Sequence, residues 1–387
     1  MAFLLDLSHT SHTCARTGIQ RVTRALEREL GSAATAVTHD PYLRAWRTLE
    51  PWELANLRGN DPGETRGAHW PWTARWRGRW RHANGQSAQF ALRGEFDGFL
   101  TAEIFSPAVA SQLPATFPRV AVFHDAIALR FPELSPSGTV ARFPGYLLEL
   151  LRFDGIAAVS DDSRDSLLAY WRWLGVANPP PVRTISLGVD LTPTPAATPS
   201  AAAASVPTVL CVGTLEGRKN HVALLDACEL LWARGEQFSL RLVGSAQRQT
   251  GRTALAKIQA LQAAGRPLRY DGPLGDVALD EAYAQCAFTV YPSLAEGFGL
   301  PVIESLARGR PCVCSATGAL GELARDGGCL ALPSVGATHL APAIAQLLAA
   351  PTEVAALSAA ARRRTFRSWR AYADDLAAWM RELPRRG

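Results

Sequence analysis

The chain has 387 residues, of which 48% are hydrophobic and 19% are charged. This length suggests two to three domains with cores of their own and excludes a single small binding module, while the composition excludes a disordered or fibrous protein. The net charge of +5 is too small to indicate the dense basic face of a nucleic-acid-binding protein, so no nucleic-acid partner is expected.

The sequence carries no sign of export or of a membrane span. No stretch reaches the roughly 18 to 20 uninterrupted apolar residues that a membrane-spanning helix needs, and the apolar run near the N-terminus stops at Asp6. Seven cysteines without a C-x-x-C pair favour neither a disulfide framework nor a four-thiolate zinc site. We therefore expect a cytoplasmic protein.

Short apolar runs alternate with helical patterns along most of the chain. The runs predicted as strands are 2–6, 119–123 and 155–159 in the first half, then 208–212, 238–243, 287–291 and 311–315 in the second. Continuously apolar strands separated by helices are typical of parallel sheets that are buried on both faces. The predicted fold class is α/β, with two doubly wound domains that face a cleft.

A proline-rich, uncharged stretch at 191–207 separates the two halves and is predicted to be an interdomain linker. The expected N-terminal domain is 1–190 and the expected C-terminal domain is 208–366. Residues 367–387 contain an amphipathic helical pattern with aromatic residues on its apolar face. We expect this last helix to pack back toward the N-terminal domain.

The first predicted helix follows the loop that leaves the first strand. Thr17 and Gln20 fit a capping box at the start of that helix. In an open α/β sheet, ligands bind beyond the carboxyl ends of the strands. Gly18 is therefore expected to lie where a ligand would approach.

Residues 41–95 are rich in tryptophan, and Trp72, Trp76 and Trp80 recur every four residues among arginines. Such a helix suits a membrane interface, with the tryptophans at the level of the headgroups and the arginines facing anionic lipid. The alternative is a surface excursion whose tryptophans pack on the domain, and Gly78 would weaken the helix. The first interpretation predicts peripheral contact with the inner face of the membrane through Trp72, Trp76 and Trp80.

The loop after predicted strand 208–212 carries groups that suit a phosphate. Gly213 begins the loop, and Arg218 and Lys219 stand before a helix that Asn220 can cap. A planar guanidinium beside an ammonium matches the two negative charges of a diphosphate without a metal. The alternative is a solvated basic turn, which is less expected for Lys219 because the chain has only one other lysine.

The loop after predicted strand 287–291 opens a helix at about Leu300. The backbone N–H groups of that helix start would point at a bound ligand and favour a phosphate. Glu296 lies before the helix and Glu304 lies one turn inside it, so the two carboxylates can accept hydrogen bonds from different hydroxyl groups of one ligand. The alternative for Glu304 is a side chain that only stabilises the helix dipole.

Over nearly the whole second half, the segments CVGTLEGRKN, RLVGS and YPSLAEGFGLPVIESLARG resemble retaining glycosyltransferases of family 4, which have the GT-B fold of two Rossmann-like domains. The E-x7-E spacing of Glu296 and Glu304 is the signature of that family. The first half resembles the family more loosely, around His124 and Ser160. The C-terminal half looks most like bacterial enzymes of polysaccharide and O-antigen (lipopolysaccharide) assembly, many of which use GDP-mannose.

The resemblance implies a role for each matching residue of the second half. Arg218 and Lys219 would hold the donor diphosphate and stabilise it as it leaves. Glu304 would hold the ribose hydroxyls, and Glu296 would lie near the donor sugar and support an oxocarbenium-like transition state. The backbone amides that would contact sugar or phosphate belong to Phe298, Gly299 and Leu300.

In the first half, the resemblance matches Gly18 to the loop that approaches the phosphates and His124 to a histidine of the cleft. The same loop contains His9, His12 and Cys14 at a spacing that a metal could use, but no further ligand is identified. No D-x-D triplet occurs, which argues against the metal-dependent GT-A fold. Neither a metal nor another cofactor is therefore expected.

The reaction implied is the transfer of a sugar, with retention, from a nucleotide diphosphate to a saccharide or lipid-linked acceptor of a surface polysaccharide. The donor expected first is GDP-mannose and next a UDP-sugar. The leaving phosphate would help to deprotonate the acceptor, so no protein nucleophile is assigned and the carboxylate pair of a glycosidase is not needed. The alternatives are a GT-B epimerase or phosphorylase, and a scaffold that binds nucleotide sugars without catalysis.

Overall fold

The structure is a computed structural model, and it describes residues 2–13, 17–59, 69–89, 92, 95–104, 117–190 and 206–384. Contacts divide the chain into two compact units: unit 1 lies within Met1–Asp125, Arg142–Gly188 and Arg367–Gly387, and unit 2 lies within Ala126–Ala141 and Val189–Phe366. The contacts thus group 126–141 with unit 2, whereas the sequence interpretation assigns it to the N-terminal domain. Most of the predicted linker, residues 191–205, lies outside the described residues.

The described part of unit 1 contains one sheet of seven strands: β1 (Ala2–Asp6), β2 (Ala34–Asp40), β3 (Ala45–Thr48), β4 (Phe96–Thr101), β5 (Arg119–Phe123), β6 (Gly155–Ala158) and β7 (Val182–Thr184). Their order across the sheet is β3-β2-β1-β4-β5-β6-β7. Only β2 and β3, joined by a tight connection, pair antiparallel, and the other neighbours are parallel. The carboxyl ends of the parallel strands therefore share one edge of the sheet.

The helices described before residue 190 are α1 (Gly18–Leu30), α2 (Pro51–Arg58), α3 (Trp72–Ala83), α4 (Ile127–Arg130), α5 (Ser137–Glu149) and α6 (Asp161–Trp173). Helix α1 buries Val22, Leu26 and Leu30, which recur every four residues and therefore lie on one face. Helix α6 begins at a true cap, because Ser160 Oγ accepts a hydrogen bond from the Ser163 N–H at 3.1 Å.

Unit 2 contains a second sheet, with six strands in its described part: β8 (Thr208–Val212), β9 (Ser239–Val243), β10 (Leu268–Tyr270), β11 (Phe288–Tyr291), β12 (Cys312–Ser315) and β13 (Cys329–Leu332). The order is β10-β9-β8-β11-β12-β13, and every neighbouring pair is parallel. All seven strands predicted from the sequence are confirmed within one residue at each end. The α/β fold class with two parallel sheets is confirmed as well.

The remaining helices are α7 (His221–Ala233), α8 (Arg252–Ala263), α9 (Asp276–Gln285), α10 (Leu300–Ala307), α11 (Gly318–Ala324), α12 (Ala337–Ala349), α13 (Pro351–Arg363) and α14 (Trp369–Glu382). The core of unit 2 lies where α7 and α12 cover the sheet, with Leu224 and Ile344 fully buried against Val209, Leu240 and Phe288. Within the described ranges, no single helix is long and apolar enough to cross a membrane, and α12 with α13, which pass that test only as a pair, are bent by 97°.

Helix α14 belongs to unit 1, although unit 2 precedes it in the chain. It packs against α1 and β4 and buries Tyr372 and Leu376 completely. Gly188 allows the backbone of α14 to come close, since a Cβ there would lie 2.5 Å from the Trp369 nitrogen. The tryptophan and tyrosine residues of this helix are packing residues.

Two helices start without the side-chain caps that the sequence predicted. Thr17 precedes α1, but its hydroxyl donates to the Gln20 side chain and caps no backbone N–H, so the predicted capping box is wrong. Asn220 precedes α7 in a left-handed conformation, and its Nδ2 donates to the Val335 carbonyl at 2.8 Å. Asn220 therefore ties α7 to a distant loop, and the predicted side-chain cap is wrong too.

Candidate functional site

The loop after β8 starts from a close contact with the end of β9. The Gly213 N–H donates to the Val243 carbonyl at 2.8 Å. Gly244 has a φ of 140°, and a Cβ there would lie 2.1 Å from the Gly213 carbonyl oxygen. A side chain at Gly244 would therefore displace the loop that carries Arg218 and Lys219.

The loop after β11 is hydrogen-bonded to the loop after β8. The Leu294 N–H donates to the Arg218 carbonyl at 2.8 Å, and Ser293 Oγ lies 3.2 Å from the same oxygen. Both loops leave the carboxyl ends of adjacent strands of one sheet. The sheet thereby brings the basic pair and Glu296 together, although 77 positions separate Lys219 from Glu296 in sequence.

Helix α10 starts at Leu300, as predicted, directly after Gly299. Gly299 has a φ of 106°, which side chains rarely adopt, and a Cβ there would lie 2.6 Å from Leu320 Cδ2. The side chains of Phe298 and Leu300 are buried. In this first turn Pro301 has no N–H, and the Val302 N–H donates to the Gly299 carbonyl at 3.0 Å, so the Leu300 N–H is the donor that can face a ligand beside the loop of Glu296.

Four side chains converge on one oxygen of Glu296. Its Oε1 lies 2.5 Å from Lys219 Nζ and 2.8 Å from Arg218 Nη1. The same oxygen accepts hydrogen bonds from Ser293 Oγ at 2.5 Å and from the Tyr291 hydroxyl at 3.0 Å. Lys219 also donates to the Tyr291 hydroxyl. We call Arg218, Lys219, Tyr291, Ser293 and Glu296 the carboxylate cluster.

The charges of the carboxylate cluster depend on one another. Burial raises the pKa of Glu296, but the positive charges of Arg218 and Lys219 outweigh burial and hold that pKa at about 2. Burial, together with Arg218, lowers the pKa of Lys219 below its ordinary value, and Glu296 opposes that change. Burial and the charge of Glu296 raise the pKa of Tyr291 well above its ordinary value. Glu296 is thus ionised and Tyr291 keeps its proton at neutral pH.

The guanidinium of Arg218 is oriented by three acceptors. Nη1 reaches Glu296 and the Ala295 carbonyl at 3.1 Å, and Nη2 lies 2.8 Å from Glu216 Oε1. Lys219 is buried. The alternative of a solvated basic turn is therefore wrong for Lys219, and Arg218 is held in a defined position.

Glu304 lies one turn inside α10, as predicted, and is buried. Its Oε2 accepts a hydrogen bond from the Tyr283 hydroxyl at 3.3 Å. The guanidinium of Arg308 lies 4.9 Å from the ring centroid of the same tyrosine. Tyr283 therefore positions Glu304, a contact that the sequence interpretation missed because Tyr283 comes from α9.

His221 is the first residue of α7 and follows the basic pair closely. It is buried, and neither ring nitrogen has a hydrogen-bond partner among the described residues. Burial and the charge of Lys219 lower the pKa of His221 to about 3. A neutral imidazole thus lies beside the carboxylate cluster, and sequence reasoning gave no reason to single it out.

The predicted His124 lies in unit 1, where it follows the carboxyl end of β5. Its Nε2 lies 2.7 Å from the Ala102 carbonyl oxygen, which can only accept, so Nε2 carries the proton and Nδ1 is an acceptor. Burial lowers the pKa of His124, and the hydrogen bond to Ala102 and the nearby Asp125 only partly oppose this. His124 is therefore a neutral side chain with a fixed tautomer.

Gly18 begins α1 in unit 1, and a Cβ there would meet no atom within 4 Å. The loop before it is held by Glu103, whose two carboxyl oxygens accept hydrogen bonds from the N–H groups of His9 at 2.6 Å and Thr10 at 2.7 Å. Burial, and next the charge of Asp6, raise the pKa of Glu103 to about 8. Sequence reasoning missed this glutamate because it follows β4, a strand that was not predicted.

His12 is a structural residue. Its Nδ1 lies 2.7 Å from the Ser8 carbonyl oxygen, its Nε2 lies 2.8 Å from Glu53 Oε1, and its ring stacks on Trp70 at 4.0 Å between centroids. Both ring nitrogens of His12 thus have protein partners in this arrangement, and the metal hypothesis gains no support from it. Cys14 lies outside the described residues. Nowhere in the described ranges do three or more histidine, cysteine or acidic side chains form a group suited to a metal.

Comparisons with known proteins show which proteins this chain resembles. Residues 206–350, which contain the carboxylate cluster, match the family model "Glycosyl transferases group 1". The chain carries a group 1 glycosyltransferase domain. It is 30% identical over 358 residues to the serotype-specific mannosyltransferase WbdA of Escherichia coli. The aligned region covers 84% of this chain and 40% of WbdA. The chain therefore spans less than half the length of this relative.

A second similar protein is the O-antigen chain mannosyltransferase B of Escherichia coli, with 36% identity over 125 residues, 32% of each chain. Solved structures show the same fold over the whole chain. Sucrose-phosphate synthase from Thermosynechococcus elongatus aligns with a TM-score of 0.70 and 21% identity, covering 99% of this chain and 98% of its own. Anabaena HepE, solved with UDP and glucose, aligns with a TM-score of 0.68 and 16% identity, covering 99% of this chain and 100% of its own. The predicted GT-B fold and family resemblance are confirmed.

Proposed function

We propose that this group 1 glycosyltransferase chain is a retaining, metal-independent mannosyltransferase. It transfers mannose from a nucleotide diphosphate, GDP-mannose first, to a saccharide or lipid-linked acceptor in the assembly of a surface polysaccharide. The observation that carries the proposal is the convergence of Arg218, Lys219 and Glu296 beside the first turn of α10. This convergence lies inside the segment that matches the family model.

The diphosphate binds to the two cations and to the helix start. Arg218 offers a planar fork and Lys219 a point charge, and both are positioned before a ligand arrives. As the bond to mannose breaks, negative charge grows on the leaving diphosphate, and these groups stabilise it. Two protein cations thereby do what a divalent metal does in other transferases.

Glu296 acts as an orienting and electrostatic group and not as a nucleophile. Its carboxylate is held by two cations and two hydroxyls, and its pKa of about 2 makes it a weak base. A carboxylate in this state is poorly suited to attack the anomeric carbon. This supports retention in which the leaving phosphate, on the same face of the sugar, takes the proton of the acceptor hydroxyl.

The names of the relatives support the choice of mannose and of the acceptor class. The two Escherichia coli proteins are mannosyltransferases by name, one of them for the O-antigen chain. Solved structures with UDP are less similar in sequence, so a UDP-sugar is the second donor to test. A lipid-linked acceptor would place the reaction at the cytoplasmic face of a membrane.

A thermal-shift panel tests the donor site. GDP, UDP, ADP, CDP and dTDP are each added with EDTA and with Mg²⁺. A ligand at 100 times its Kd adds about 2.7 kcal/mol to the free energy of unfolding, which raises Tm measurably. We expect GDP to raise Tm most, and equally with EDTA. A shift that requires Mg²⁺ would contradict metal independence, and no shift with any diphosphate would contradict the donor site itself.

A further inference from the structure

Helix α3 of unit 1 exposes its tryptophans to solvent. Trp72 is 77% exposed, Trp76 is 64% exposed and Trp80 is 49% exposed. They recur every four residues, about 40° apart around the helix, and therefore form one stripe. The interpretation that these tryptophans pack on the domain is wrong. A soluble protein rarely exposes such a contiguous apolar stripe without a partner for it.

The opposite face attaches α3 firmly to unit 1. Ala74 and Gly78 are buried, and a Cβ on Gly78 would lie 2.7 Å from Tyr42 Cβ. Glu50 forms ion pairs with Arg77 and with Arg81, the latter at 3.5 Å. The helix thus presents its tryptophan face in a fixed orientation.

The exposed face is also positively charged. Arg75 and Arg79 flank the tryptophan stripe, and neither has a carboxylate partner among the described residues. Arg75 Nε donates to the Trp70 carbonyl at 2.8 Å. The guanidinium of Arg79 lies 5.3 Å from the ring centroid of Tyr42. Trp72–Ala83 contains no acidic residue. Amphipathic tryptophan at headgroup level beside arginine is the chemistry that recognises an anionic lipid surface.

Helix α3 lies at the same edge of the unit 1 sheet as two of its histidines. Through Gly78 the helix rests on the connection that follows Asp40 at the carboxyl end of β2. Since β2, β1, β4 and β5 run parallel, this is the edge of the sheet at which His9 and His124 also lie. A membrane that holds α3 therefore lies on the same edge of the sheet as these residues.

We infer that α3 is a membrane-docking helix, whose Trp72, Trp76 and Trp80 enter the headgroup region while Arg75 and Arg79 bind lipid phosphates. The inference that α3 binds a membrane is argued from its exposed face alone. The purpose of this binding, to bring the carboxyl edge of unit 1 to a lipid-linked acceptor, rests on the proposed function.

The test is flotation of the full chain with vesicles of phosphatidylcholine alone or mixed with phosphatidylglycerol. We expect the wild type to float with the anionic vesicles and little with the neutral ones. W72A/W76A/W80A should lose most of this binding. R75Q/R79Q should weaken it by about fivefold for each arginine, and added salt should do the same.

Trp173 provides a matched control, because it is 79% exposed, lies in unit 1 and ends α6, which leads away from the carboxyl edge. W173A should float as the wild type does. Equal flotation of the wild type and W72A/W76A/W80A, or no flotation of the wild type, would overturn the inference and leave a protein contact as the use of the stripe. The Tm shift with GDP in each variant reports the donor site separately and should stay unchanged.

Discussion

At the scale of single residues, the arrangement of Glu296 suggests competition inside the donor site. One carboxylate oxygen neutralises both Arg218 and Lys219. In the proposed function, a diphosphate binds the same two cations. A bound diphosphate would therefore compete with Glu296 for these cations, while the Tyr291 and Ser293 hydroxyls still hold the carboxylate in place.

Glu296→Gln keeps the shape of the side chain and removes its charge. Without ligand, Lys219 then stays buried beside Arg218 with no counter-charge from Glu296, and we expect unfolding to cost about 3 kcal/mol less. GDP supplies the missing charge, so the increase in Tm with GDP should be larger in this variant than in the wild type, while kcat falls. Thermal unfolding with and without GDP measures the first effect, and initial rates measure the second.

Glu304→Gln is the matched comparison, because Glu304 is also buried but lies inside α10 and accepts a hydrogen bond from Tyr283. Its GDP shift should be smaller than that of the wild type, since a ribose partner is weakened. If both variants reduce the GDP shift alike, Glu296 does not compete with the diphosphate.

At the scale of elements, α3 shows why one glycine was misjudged. Glycine weakens an isolated helix by about 1 kcal/mol relative to alanine, which is the reason it counted against a helix here. In the structure Gly78 is the position where the helix touches Asp40, Tyr42 and Leu43, and a Cβ there has no room. The residue that lowers the propensity of α3 is thus the one that allows it to pack.

Gly78→Ala should therefore destabilise the attachment of α3, by about 1 to 3 kcal/mol for the overpacked contact, less the small gain in helix propensity. Hydrogen exchange of the α3 amides should become faster. Gly138→Ala in α5 is the control, because its Cβ meets nothing within 4 Å, and exchange there should slow or stay unchanged. Unchanged exchange in α3 of Gly78→Ala would mean that the contact is not as tight as described.

Sequence patterns predicted those elements whose pattern is strong. The long apolar strands and the starts of α10 and α14 were found within two residues. Strands β7 and β10 have only three residues each, β13 is half-exposed, and β4 contains Asp97 and Gly98, so none gives a clear periodicity.

The candidate site was predictable only where neighbours in sequence carry it. Two pairs stand out in the sequence: Arg218 with Lys219, and Glu296 with Glu304 eight positions later. The contact between the two groups comes from adjacent parallel strands, and no local pattern reports it. Tyr291 was missed because an aromatic residue at a strand end is usually a core residue.

At the scale of the whole molecule, each unit has its own buried residues, and α14 belongs to the core of unit 1. Leu376→Ala should destabilise unit 1 by about 2 to 5 kcal/mol. Hydrogen exchange should become faster in β4, α1 and α14, and the protection that GDP confers on unit 2 should remain. Leu224→Ala in α7 should make hydrogen exchange faster in unit 2 and leave exchange in unit 1 unchanged. If either variant makes exchange faster in both units, the two units do not have separate cores.

The position of α14 also determines the order in which a ribosome can complete the molecule. Chains are made from the N-terminus, and domains generally fold as units while synthesis proceeds. Here all of the residues of unit 2 have been made before α14, which unit 1 needs to cover α1 and β4. Unit 1, whose first strand is translated first, therefore gains α14 only after unit 2 has been made, and until then α1 and β4 lack the helix that covers them.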